Sequence, residues 1–206
     1  MDKILLDYLH HQIIPKYKSL DEAHQIEHVE QVIHDALKIA RDYHVNLDMV
    51  YVIACFHDLG LLIDRKIHHI IGGEMLVSDQ MIQSYFNSEE IHLMKEAIED
   101  HRASNENPPR SIYGKIIAEA DRNLDPLTIF KRTIQFGLSH YGQLTIDEHL
   151  ERAYTHINEK YGPNGYLKLW LNTEQNQAGL MKIHMLLNNK SQLINILQQI
   201  YDEIEK

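Results

Sequence analysis

Apolar residues recur along this chain at intervals of three and four almost throughout, the period of helices that bury one face. No run alternates apolar and polar residues with period two, and no two-residue hairpin signal occurs. The pattern predicts an all-α fold. Helices are expected over about 2–14, ending at Pro15; about 21–43, capped by Asp21; about 47–59, stopping near Gly60; and about 73–86, following Gly72-Gly73. Others run from Ser88 to about 102, over about 110–123, and from Pro126 to about 139. A Thr145/Glu148 capping box opens one that reaches about 161, and two more fill about 174–188 and about 191–205. SNENPPR, 104–110, reads as a loop and Gly162-Pro163-Asn164-Gly165 as a turn. No repeat, low-complexity tract or composition break divides the chain. It reads as a single helical domain over 1–206, with a core over about 20–126 and a C-terminal helical elaboration over about 127–206.

The apolar faces carry residues that do not belong in an oil-like interior. In the second helix, Val29, Val32, Ile33, Ala36, Leu37 and Ala40 form the buried stripe, and His28 and His24 continue it backwards by successive turns. The third, VYVIACF, is the most hydrophobic segment and runs directly into His57-Asp58. The fifth has Ile91, Met94, Ala97 and Ile98 on its stripe, with His101 at the next step; the sixth has Ile116, Ile117 and Ala120, with Asp121 one turn after Ile117. A buried carboxylate without a partner is expensive, and four such groups on four inward faces call for a shared counter-charge. Imidazole nitrogen and carboxylate oxygen suit a first-row divalent ion such as Mn, Fe, Co, Ni or Zn, and Mg stays open as well. With one cysteine, a structural thiolate zinc site does not fit.

Composition narrows the setting. The chain has 206 residues, 44% hydrophobic and 24% charged, long enough for a sizeable core. MDKILLDYLHHQIIPKY is too short and polar for a signal peptide or a membrane span, and Cys55 alone cannot form an intramolecular disulfide; both point to a cytoplasmic, reducing compartment. A net charge of −10 argues against binding a nucleic-acid duplex, but not against a small phosphorylated substrate whose charge a metal ion meets. Of the 15 histidines, His10, His11, His34, His44, His92, His140, His149, His156 and His184 fall in polar or surface-helix contexts.

The segments DEAHQIEHVEQVIHDALKIA (21–40), VIACFHDLG (52–60), KIHHIIGGEML (66–76), KEAIEDHRAS (95–104) and GKIIAEADRNLD (114–125) together resemble the HD-domain superfamily of metal-dependent phosphohydrolases. The likeness covers roughly the first 125 residues in the family's order of His, His-Asp, His, His and Asp. It implies a helical bundle of the HD type and a metal held by His28, His57, Asp58 and Asp121. His68 and His101 match the longer pattern of members that bind two ions, and otherwise contact substrate or water; His69 competes with His68 for that place. His24 matches a histidine near the phosphate. The implied chemistry is hydrolysis of a phosphomonoester or phosphoanhydride, with a nucleotide as leading substrate. In it Asp58 orients the nucleophile, His101, His68 or His24 serves the leaving oxygen or the phosphate, and Lys66, Arg102 and Arg122 bind the anion.

Two departures bear on the subgroup. Leu61 stands where nucleoside-monophosphatase-like members carry a glutamate, and ADRNLDPLTIFKR replaces a glycine-rich stretch that follows the ADR of many small relatives. A metal-binding sensing module with little turnover and a di-iron oxygenase of HD type therefore stand beside the hydrolase. The apolar C-terminal positions make a homodimer an expectation.

Overall fold

The computed structural model describes residues 1–21, 24–105, 107–122 and 124–205. Among the described residues are eleven α-helices and no strand. The chain separates into two compact units, Met1–Arg122 and 123–206.

In the first unit, α1 (Lys3–Tyr8) is capped by the Asp2 carboxylate and passes into a π turn (Leu9–Ile13) and a 3-10 turn (Ile14–Ser19). The expected stop at Pro15 is therefore not a stop. Pro15 sits in the first turn of the 3-10 segment, where its missing N–H is no loss.

α2 (Ile26–Ala40) begins at an N-cap of Gln25, later than the predicted Asp21 cap. The Asp21 carboxylate is occupied elsewhere, by His24 and Arg65, each at 2.7 Å. His24 thus precedes α2 and does not extend its stripe; residues 22 and 23 lie outside the described residues. α3 (Leu47–Phe56) is buried on nearly all sides, as befits a helix without a polar face. A 3-10 turn (Leu59–Leu62) leads on to α4 (His68–Ser78).

The predicted helix over 73–86 is in fact two. α4 starts five residues earlier and contains Gly72-Gly73, and α5 (Gln80–Tyr85) starts anew because the Asp79 carboxylate caps Met81 and Ile82. Gly72 serves packing here: a Cβ on it would lie 3.1 Å from the Phe56 carbonyl and 3.2 Å from Ile98 Cγ2. α6 (Ser88–Asp100) opens with a full Asn87/Glu90 capping box, and Ser111 caps α7 (Ile112–Ala120). Arg110 folds the intervening loop back onto α6 through Glu96, Glu99 and Asp100; Glu106 of that loop lies outside the described residues. α4 packs on α6, α2 on α3 and α7, and α6 on α7 and α3. Val29, Val32, Ile53, Ala54, Met94, Ile98, Ile116 and Ile117 are buried among them.

The second unit holds α8 (Pro126–His140), α9 (Ile146–Tyr161), α10 (Glu174–Leu187) and α11 (Lys190–Ile204). The Thr145/Glu148 capping box is present at α9. Phe130, Ile134, Leu150, Ile157, Ile183, Leu193 and Leu197 form its core. His149, expected at a surface, is buried in this unit beside Tyr201.

Candidate metal centre

The centre is built from helix ends. His28 lies in the first turn of α2, His68 opens α4, and His57, His101 and Asp121 occupy the C-cap positions of α3, α6 and α7. Asp58 follows His57 in the sparsely populated bridge conformation, φ −108° and ψ 3°, which ends the apolar helix and turns its carboxylate inward. Three helices thus end at one place, and the carbonyl end of a helix carries partial negative charge that favours a cation.

Three of the imidazoles are anchored alike. Nδ1 of His57 donates to the Ala54 carbonyl at 2.7 Å, Nδ1 of His101 to that of Ile98 at 2.6 Å, and Nδ1 of His68 to that of Arg65 at 2.8 Å. A backbone bond to Nδ1 fixes the tautomer and leaves the Nε2 lone pair for a ligand, the arrangement that metal-bound histidines use.

The Nε2 atoms and carboxylate oxygens form two groups that share one residue. In the first, His28 Nε2 lies 3.3 Å from His57 Nε2, 3.4 Å from Asp58 Oδ2 and 3.3 Å from Asp121 Oδ1. His57 Nε2 lies 3.3 Å from Asp58 Oδ2 and 3.8 Å from Asp121 Oδ1. In the second, His68 Nε2 and His101 Nε2 are 3.3 Å apart and each 3.5 Å from Asp58 Oδ1. Bonds of about 2.1 Å in a tetrahedral shell hold ligand atoms about 3.4 Å apart, so both groups fit an ion. His57, Asp58 and His101 are buried, whereas the Asp121 and His68 side chains keep some exposure, 24% and 12%. Each group therefore keeps partly exposed ligand candidates, His28 and Asp121 in the first and His68 in the second.

Without an ion, protons are the counter-charge. Burial disfavours ionised Asp58, but the His57 charge and hydrogen bonds from His101, His28 and His57 outweigh it and hold the carboxyl well below the usual carboxylate range. Burial opposes ionisation of Asp121 too, and His28 and His57 outweigh it in the same way. Burial would lower His28, yet the Asp121 and Asp58 carboxylates lift it to about 9. His101 is likewise raised by Asp58 against the pull of burial. Burial, then the His101 charge, push His68 down, and burial with the His68 and His101 charges takes His69 to about 4.

The remaining sequence candidates surround this centre. Of the adjacent pair, His68 and not His69 enters a group. The His24 ring is 5.6 Å from that of His28, and its Nδ1 is held by Asp21. The half-buried Arg102 donates from Nη1 to the Lys66 carbonyl at 2.7 Å, two residues before His68; the Lys66 side chain is exposed. Arg122 is buried beside Asp121, and its Nε and Nη1 find no hydrogen-bond partner among the described residues. The Asp21–Arg65 pair gave no signal in the sequence, where Asp21 read as a cap: Arg65 ties the segment before His68 to the one before His28, a link between distant residues that no spacing reveals.

Residues 26–123 match the family model described as the HD domain, a span that includes all six residues of the two groups. No curated protein and no solved structure matches the chain. No helix of the described residues is long and apolar enough to cross a membrane.

Proposed function

We propose that this chain hydrolyses a phosphomonoester or phosphoanhydride, since residues 26–123 match the HD-domain model and its motifs resemble those of metal-dependent phosphohydrolases. The observation that carries the reading is the sharing of Asp58 between two ligand groups, with Oδ2 on the His28, His57 and Asp121 side and Oδ1 on the His68 and His101 side. One ion at the first group, or one at each, fits the donors. A bound divalent ion supplies Lewis acidity and a water acidic enough to yield hydroxide near neutral pH.

The residues do the rest. Asp58 and Asp121 offset the cationic charge, and Asp58 accepts a hydrogen bond from the attacking water and orients it. The backbone-anchored His57, His68 and His101 hold their Nε2 atoms in place without rotation. The water oxygen adds to phosphorus while the bond to the leaving oxygen breaks, and that oxygen takes up a proton. His24 delivers it, or His68 or His101 when the second group holds no ion. Arg102, Arg122 and Lys66 meet the phosphate charge. The partner in this reading is one small phosphorylated molecule, in keeping with a net charge of −10. A nucleotide is the first class to try, on the resemblance of the motifs.

The test is metal analysis of the purified protein together with inorganic phosphate or pyrophosphate release from a panel of nucleotides and simple phosphate esters. Mn, Co, Ni and Mg would each be supplied. Metal-dependent release, lost in Asp58→Ala, supports the hydrolase. Metal bound without any release overturns it in favour of a sensing module. The shared carboxylate also favours a second reading, a di-iron oxygenase; two equivalents of iron with oxygen uptake, and no phosphate release, would establish that instead.

A further inference from the structure

Tyr17 lies outside the matched span, in the 3-10 turn Ile14–Ser19, yet it is fully buried. Its hydroxyl donates to the Cys55 carbonyl at 3.1 Å and accepts from the Asp58 amide at 3.3 Å. Its ring stands 6.2 Å from that of His57. One oxygen therefore binds the chain on both sides of His57.

The placement answers a local need. Where α3 stops, its last carbonyls and the amide of the following turn have no helical partners, and inside a core no water replaces them. An apolar residue at Tyr17 would leave both groups unmet. A hydroxyl is the smallest side-chain group that can donate and accept at once. The bridge conformation of Asp58, which aims one carboxylate at two ligand groups, is the conformation this bond holds.

We infer that Tyr17 is a positioning residue of the metal centre, and that the N-terminal segment before the HD domain completes the site by clamping the His57-Asp58 turn. The inference rests on the metal reading above. Tyr17 touches no substrate; it acts through Asp58.

The experiment uses the full chain and Tyr17→Phe, which keeps the ring and removes the oxygen. Isothermal titration with Mn²⁺ alone is expected to show roughly 10-fold weaker binding in the variant, the scale on which loss of a bond behind a ligand is felt. Amide exchange of Asp58 in the metal-free protein, followed by NMR, is expected to accelerate, with the far-UV spectrum unchanged. A hydroxyl that merely caps α3 would lower the melting temperature and leave Mn²⁺ affinity untouched; that result overturns the inference while the metal reading stands. A wild-type chain that binds no divalent ion overturns the metal reading and this inference with it. Should Tyr17→Phe fail to fold, the wild type carries the test. Its Asp58 amide must exchange slowly, and more slowly still with Mn²⁺; exchange at the rate of an unstructured peptide overturns the clamp.

Discussion

Asp58 sends its two oxygens to different partners, so its removal is felt twice. Asp58→Ala should abolish binding at both groups and reduce turnover by at least about 100-fold, with helix content retained; metal analysis and circular dichroism read the two effects. If the wild type takes two equivalents, His101→Ala should empty only the second group and leave one. His28 sets the coupling to pH. Asp121 and Asp58 keep it protonated up to about pH 9 in the metal-free protein, but a ligand must be neutral. Loading an ion at pH 7.5 should therefore release a proton, and affinity should climb as pH rises towards 9; titrations in buffers of different ionisation enthalpy count that proton. The same pair stabilises the metal-free fold, since its folded pKa is raised. That contribution is whole below the ordinary histidine pKa of about 6.5 and fades as pH rises through 9, so adding metal should flatten the decline.

Among the elements, the junction of the 3-10 turn Leu59–Leu62 with α4 is the tightest. A Cβ on Gly60 would sit 2.0 Å from the His68 carbonyl oxygen, so no larger residue fits without moving His68. Gly60→Ala is expected to destabilise the fold by about 1–3 kcal/mol and, where two equivalents bind, to release the one at the second group first. Asn87→Ala makes a contrast. It removes the capping box of α6 and should lower stability by about 1 kcal/mol in denaturant titrations, with metal content unchanged. Helix ends differ in what they present: those of α3, α6 and α7 bring His57, His101 and Asp121 into the candidate ligand groups, whereas the start of α6 carries its cap.

On the scale of the whole molecule, every residue of both ligand groups belongs to the unit Met1–Arg122, and the unit 123–206 has a core of its own. Leu193 is fully buried in that second core. Leu193→Ala should cost about 2–5 kcal/mol of stability by opening a cavity, while the metal stoichiometry of the folded protein stays the same. A fall in stoichiometry would show that the second unit supports the centre.

Local chemistry was legible because it is written in neighbours. The 3.6-residue period reported helices nearly everywhere, and the Thr145/Glu148 box and the starts of α6 and α8 are encoded within four residues. His28, His57, Asp58, His101 and Asp121 stood out because polar groups at the ends of apolar stripes are costly unless they meet. What neighbours cannot encode was decided by the fold. Gly72 looked like a break and is a packing contact, because α3 and α6 approach where its side chain would be. Asp21 looked like a cap and is a partner of Arg65, 44 residues away. His68 was the choice over its neighbour His69, and helix α4 does turn His68 towards Asp58. Tyr17 gave no signal, since an irregular turn has no period to interrupt. The sequence by itself thus determined the all-helical class and pointed to the candidate donors. Which oxygen of Asp58 faces which imidazole, and what holds that turn, depend on distances between residues far apart in the chain, and only tertiary packing sets those.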